Sequence, residues 1–219
     1  MALSVGQGSI LQKMRLHIHL LLLLLSLCAT LKAQFMDNTW VLGYAGGYEE
    51  QDSFGLTLLD FTDNQLVIGP EREDMAILQV NNSSLSDGNG DLILYTNGLA
   101  IYNSSHEVID NGDGMYIGEL DRGYDYPQSS LILPYPGNED QVIILSTFAS
   151  WTTTIIGDQL LYSVIDLSAN DGEGAVVVKN ELLLDDDFST GKLTAVRHAN
   201  GRDWWFLHPL RNSKQFLTY

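Results

Sequence analysis

From Gln34 onward the apolar residues come in runs of strand length, each stopped by Gly, Asn, Asp or Pro. The runs are Trp40–Leu42, Leu56–Phe61, Asp91–Thr96, Leu99–Tyr102, Leu131–Leu133, Val142–Thr147, Leu160–Ile165, Ala175–Val178, Leu193–Val196, Trp204–Leu207 and Gln215–Tyr219. They are rich in Val, Ile, Leu, Tyr, Trp and Thr, residues that fit a pleated, half-buried surface. None sustains a 3.6-residue period through three turns. The pattern predicts an all-β body with no helix beyond residue 33. Closely spaced strands with turn signals narrow it to a sandwich, a barrel or a propeller.

A weak internal repeat favours the propeller. Asn89-Gly90-Asp91 precedes one strand, Asn138-Glu139-Asp140 a second, and Asn200-Gly201-Arg202-Asp203 a third, with the Asp anchors 49 and 63 residues apart. Such periods suit four-stranded blades with loop insertions. Asn-Gly is a strong hairpin turn because both residues tolerate positive φ. Chance recurrence of such turns is the alternative. About three to four blades fit into residues 34–219, whereas closure of a propeller takes about four to eight. The last run, Gln215–Tyr219, stops inside an apparent strand. Residues 34–219 are therefore expected to be a partial β-propeller truncated at its C-terminus, partnered by the remaining C-terminal part of the same protein.

The first 33 residues have a different character. Lys13, Arg15 and His17 precede the leucine run Leu20–Leu25, and small residues follow from Ala29 to Ala33. This is the build of a secretory signal peptide, with cleavage expected after Ala33. Met14 is a natural initiator for it, which makes residues 1–13 an over-long start. The apolar run is short of the ~20 residues that span a bilayer, so no transmembrane segment is expected after cleavage. An uncut signal anchor and a lipoprotein acylated at Cys28 are the alternatives. Leu27 sits where a lipoprotein signal wants a small residue.

All 28 acidic residues but only eight of the eleven basic ones lie beyond residue 33, a net charge of −20 (8 minus 28). Such a body repels nucleic acid and anionic membrane. Cys28 is the only cysteine and leaves with the signal, so disulfide and thiol chemistry are not expected in the mature chain.

Asp87-Gly88-Asn89-Gly90-Asp91 places oxygen ligands at alternating positions, like the start of a calcium loop. Leu92 and Gly98 then stand where such a loop wants Gly and Glu, so a tight hairpin is the preferred reading. Asn111-Gly112-Asp113-Gly114, Asp171-Gly172-Glu173-Gly174 and Asp185-Asp186-Asp187 read as solvated turns, and no metal ligand is assigned. His106, His198 and His208 form no zinc motif. His198 and His208 flank the Asn200-Gly201 hairpin, a spacing that would let them face each other across it, but a surface or packing role is preferred to a metal site. No Gly-x-Ser-x-Gly elbow, phosphate loop or sialidase Asp-box is present. No catalytic residue and no cofactor is assigned. Trp204-Trp205 offers a sugar platform, although on a strand the two rings would face opposite sides. Asn82-Ser83-Ser84 and Asn103-Ser104-Ser105 match the glycosylation acceptor pattern.

Several segments together resemble a known family. They are Ser86-Asp87-Gly88-Asn89-Gly90-Asp91-Leu92 running on to Leu94-Tyr95-Thr96-Asn97-Gly98, then Asn111-Gly112-Asp113-Gly114, Pro127-Gln128-Ser129, and Leu193-Thr194-Ala195-Val196-Arg197-His198-Ala199-Asn200-Gly201-Arg202-Asp203-Trp204-Trp205. In order and spacing they resemble the N-terminal propeller-like region of large secreted Bacteroidota proteins. Those proteins end in a type IX secretion sorting domain or a gliding-motility-associated C-terminal domain. The resemblance implies a bacterial protein, surface-attached or released, and transfers no catalytic residue. The expected function is a non-catalytic binding or scaffold module, its partner an extracellular protein or glycan. A carbohydrate-active or other hydrolytic enzyme of propeller fold is the rival reading.

Overall fold

In the computed structural model the described residues are 14–15, 17–18, 36–43, 57–61, 65–69, 78–116, 123–124, 126–151 and 155–218. Residues 14–15 and 17–18 are helical and belong to a first compact unit, Met1–Phe35. The leucine run and the expected cleavage site lie outside the described residues. Among the described residues no helix is long and apolar enough to cross a membrane.

The second unit, Met36–Tyr219, is all-β. Its described strands form four antiparallel sheets, each a simple meander. The first sheet holds β1 (Thr39–Leu42), β2 (Thr57–Asp60) and β3 (Val67–Ile68), and the second β4 (Ser83–Ser86), β5 (Leu92–Thr96) and β6 (Ile101–Asn103). The third holds β7 (Ser130–Pro134), β8 (Gln141–Trp151), β9 (Ile155–Asp166) and β10 (Ala175–Phe188). The fourth holds β11 (Thr194–Arg197), β12 (Trp204–Pro209) and β13 (Phe216–Thr218).

Period-two alternation decides how the sheets stack, because opposed residues on paired strands share a face. In the second sheet Leu85 and Leu94 share one face and Tyr95 and Tyr102 the other. The first face, with Ile101, packs on Ile132, Val142, Ile144 and Ile165 of the third sheet. The second packs on Val41 and Leu58 of the first sheet. The third sheet likewise turns its other face, Leu133, Leu145 and Leu160, onto Trp204, Phe206 and Leu217 of the fourth. The four sheets thus stack in chain order, and the two middle ones bury both faces.

The first strands lie side by side, β1 beside β4 and β4 beside β7. Their short polar side chains make the seam. The Thr39 amide donates to Ser86 Oγ at 3.0 Å, and Ser84 Oγ donates to the Thr39 carbonyl at 2.9 Å. Asn81, fully buried, accepts the Ser129 and Ser130 amides on Oδ1, both at 3.0 Å, and donates from Nδ2 to Ser130 Oγ at 2.9 Å. The Leu193 amide donates to the Gln128 carbonyl at 3.1 Å, continuing the seam toward β11.

The three repeat anchors occupy equivalent places: each turn joins the first strand of a sheet to its second. In each, an Asx side chain accepts the amide of the anchoring Asp, namely Asp87 for Asp91, Asn138 for Asp140 and Asn200 for Asp203. Local side-chain bonds of this kind fix a turn and with it the register of the hairpin.

His208 is 2% exposed, and its ring stacks on Phe188 with centroids 4.6 Å apart. Nε2 lies 3.1 Å from the Ser189 carbonyl and 2.9 Å from that of Gly191, so it carries the proton. Nδ1 is buried without a hydrogen-bond partner. Burial lowers the His208 pKa, outweighing the two carbonyls. Below the ordinary histidine value of about 6.5 the unfolded chain binds a proton that the folded one resists. His208 therefore supports the fold at neutral pH, and that support is lost as the pH falls. Thermal melts at pH 7.5 and 5.5 should show a drop that shrinks in His208→Gln. An unchanged difference between the two pH values would remove His208 from the account.

Candidate functional site

The second and third sheets meet at the end where their first strands begin. There the β5–β6 turn, the segment leading into β7 and the middle of β8 and β9 enclose a shallow pocket. Its described lining is Gly98, Met115, Tyr116, Tyr124, Ser130, Ser146, Thr147, Phe148 and Leu161. Tyr116 stacks on Phe148 at 5.2 Å between centroids, Tyr124 tilts against Tyr116 at 4.9 Å, and Tyr126 meets Tyr124 edge-on at 5.2 Å. Four rings thus form one continuous cluster.

Backbone geometry places these rings. Gly98 has φ +84°, and a Cβ there would stand 2.6 Å from Tyr124 Cβ and 2.5 Å from Asn81 Nδ2. Only glycine lets the turn approach so closely at that φ. Asn97 closes the turn by accepting the Leu99 and Ala100 amides on Oδ1, while its carbonyl accepts the Tyr124 amide at 2.8 Å. Thr96 Oγ1 donates to the Ala100 carbonyl at 2.6 Å.

The free space holds about one water molecule, far below the several hundred Å³ of an enclosing small-molecule site. The described lining offers rings and hydroxyls, with no carboxylate, imidazole, lysine or arginine. Chemically this suits contact with the apolar face of a partner or a sugar, where flat rings give area and hydroxyls give direction. Composition did not single out this cluster. The available signal was three tyrosines, at 116, 124 and 126, in one stretch between strands.

The segments singled out in the sequence lie elsewhere. Asp87 Oδ1 accepts the Asn89 amide at 2.7 Å and the Asp91 amide at 3.0 Å, and Asn89 Nδ2 donates to Asp87 Oδ2 at 3.1 Å. Slight desolvation opposes them, yet these bonds lower the Asp87 pKa. The carboxylate is engaged in closing the hairpin. Among the described residues no group of three or more His, Cys, Asp or Glu side chains is placed to hold a metal ion. Calcium should therefore raise the melting temperature no more than magnesium at matched ionic strength, through relief of self-repulsion alone. A large rise with calcium only would show that the Asp87 turn opens to bind it.

The 111–114 and 171–174 segments are turns whose acidic residues are exposed, as expected, and each also bonds to a neighbouring element. Asn111 donates to the Val176 carbonyl at 2.9 Å, and Lys179 Nζ reaches Asn111 Oδ1 at 3.1 Å and Asp113 at 3.4 Å. Glu173 accepts from Asn103 Nδ2 at 2.8 Å. Both turns fasten the second sheet to β10. Asp185–Asp187 is no turn: it lies within β10, where Asp187 takes a two-pronged contact from Arg211. Hydrogen bonding from Arg211 lowers the Asp187 pKa, and that from Arg202, then Asn200, brings Asp203 to about 2.

The two tryptophans do face opposite sides of β12. Trp204 is half-buried and donates from Nε1 to the Pro134 carbonyl at 3.0 Å, whereas Trp205 is 46% exposed. His198 lies 5.3 Å from the Trp205 ring, on the face away from His208, so these histidines do not meet across the hairpin. His106 sits edge-on to Tyr95 at 5.8 Å. Of the two acceptor-pattern asparagines, Asn103 is 7% exposed and its side chain binds Ser105, Glu107 and Glu173. No protein-family model, curated protein or solved structure matches this chain.

Proposed function

We propose that the chain is an exported binding or scaffold module, built on four consecutive blades of a β-propeller and without catalytic activity of its own. One observation carries the reading: four meander sheets stack face on face in chain order, with β1, β4 and β7 side by side. Radial repetition of meanders about their first strands is the propeller's way of protecting sheet faces. The equivalent hairpins at Asp91, Asp140 and Asp203 support it. The leucine run and the acidic, cysteine-free body support export to the bacterial surface or medium, as does the resemblance to secreted Bacteroidota proteins.

The ring-and-hydroxyl lining around Tyr116 and Phe148 supports retention of an extracellular protein or glycan rather than hydrolysis. A glycosidase needs two carboxylates about 5–10 Å apart across the bond it cuts. Affinity electrophoresis on immobilised polysaccharides, with assay of released reducing ends, separates the readings. Retention that is lost in Tyr116→Ala and Phe148→Ala, without new reducing ends, is the expected result. Released sugar would establish the hydrolase. For the architecture, spin-label distances between the second and fourth sheets should grow from first-strand to last-strand positions. Constant spacing would mean a flat stack of sheets.

A further inference from the structure

The aromatic pocket does not end at its rings. Register across the third sheet lays its floor in two rows, because directly opposed residues share a face. In the first row Ser130 opposes Ser146, Ser146 opposes Leu161 and Leu161 opposes Leu182. In the second Phe148 opposes Gln159, and Gln159 opposes Asp185. Ser130, Ser146, Phe148 and Leu161 line the pocket, so Leu182, Gln159 and Asp185 continue the same face outward to β10. Exposure rises along the way: Leu161 is 5% and Leu182 54% exposed. Gln159 is half-buried and Asp185 exposed. Asn180 Nδ2 donates to the Gly114 carbonyl at 3.0 Å, which holds the segment leading to Met115 and Tyr116 against β10.

The second row runs from ring to carboxamide to carboxylate over two strand spacings, roughly 10 Å. A flat ring takes the apolar face of a sugar. A carboxamide and a carboxylate accept hydrogen bonds from its hydroxyls. The carboxylate does one thing more: placed beside a uronate or a sulfate it puts like charges together, which suppresses that partner. The described lining of the pocket carries no Lys or Arg to offset the repulsion.

We propose that this face selects uncharged glycan chains, and that Asp185 is the specificity-determining residue that turns acidic ones away. The proposal rests on the reading of the Tyr116–Phe148 cluster as a glycan-retaining surface, and adds to it the class of glycan.

Affinity electrophoresis of the whole protein tests it on β-glucan, mannan and galactan, each as the neutral polymer and as its carboxymethyl derivative. The parent should be retarded by at least one neutral polymer, and more weakly by the carboxymethyl form of the same polymer. Asp185→Asn keeps an oxygen acceptor and should hold the neutral polymer as the parent does. It should narrow the gap between the two forms about fivefold, the effect of one unit charge ~4 Å away in water. Asp171→Asn removes the same charge from the turn before β10, at the opposite end of that strand from Asp185. That lies beyond the ~10 Å over which charges act at 0.1 M salt, so the gap should stay as in the parent. Both positions are exposed, and both variants should melt with the parent. Equal narrowing in the two variants would mean that total charge does the sorting. That result, no narrowing in Asp185→Asn, or a parent retarded alike by both forms overturns this proposal and leaves glycan retention standing. Retardation by no neutral polymer overturns the reading of the cluster together with the proposal.

Discussion

Phe188→Ala is expected to reduce the unfolding free energy by about 3–5 kcal/mol, the range for deleting a buried aromatic ring. Phe188 ends β10 fully buried. It packs among Leu133, Leu145 and Leu160 of the third sheet and Trp204, Phe206 and Leu217 of the fourth. Its backbone bridges Leu210, and its ring stacks on His208. Truncation leaves a cavity at the junction of two sheets and takes from His208 the ring that covers it. Since whole domains hold only about 5–15 kcal/mol, the variant should melt much earlier. Amide exchange in β11–β13 should quicken before that in β7–β9, because the fourth sheet rests on the third by one face only. Trp205→Ala, on the exposed face of the same region, should stay within ~0.5 kcal/mol of the parent monomer. Urea unfolding of the three proteins in dilute solution decides it. Equal losses for Phe188 and Trp205 would contradict the assigned core.

Asn81→Ala should be nearly as damaging, for a different reason. One side chain holds three partners across the β4–β7 seam: the amides of Ser129 and Ser130 and the hydroxyl of Ser130. Ser129 and Ser130 are 0% and 6% exposed, so water does not readily replace what is lost. Each buried polar group left unpaired costs about 1–3 kcal/mol, which puts the total at roughly 3 kcal/mol or more. The dependence on urea should keep its slope, since the same surface is exposed on unfolding. A loss below ~1 kcal/mol would mean that sheet packing alone holds the first strands together.

The sequence carried most of the strands. Eleven apolar runs found eleven strands, because each alternates over a half-buried sheet and is cut by residues that turn the chain. The Asn-Gly and Asn-x-Asp turns were legible for the same local reason: an Asx side chain closes them without tertiary help. Two strands were not legible. Val67–Ile68 is too short to show a period. Ser83–Ser86 is three serines and one leucine, and its hydroxyls read as loop or glycosylation signal. It forms a strand because Ser83 and Ser84 hydrogen-bond to its neighbours on either side. The acidic half of β10 was hidden in the same way: Asp185–Asp187 reads as a solvated turn, yet Asp185 pairs with Gln159 and Arg211 grips Asp187.

What lies between sheets was decided by the tertiary structure alone. Period-two alternation says that a strand has two faces, but not which sheet covers each. Tyr116 and Phe148 stack though they are 32 positions apart, and Asn81 earns its role from amides 48 and 49 residues away. Trp40 and Trp205 read like any other strand aromatics, and only the packing of the sheets leaves each of them 46% exposed. Local chemistry writes hairpins into the sequence, whereas the seam and the aromatic pocket arise from contacts between residues far apart along it.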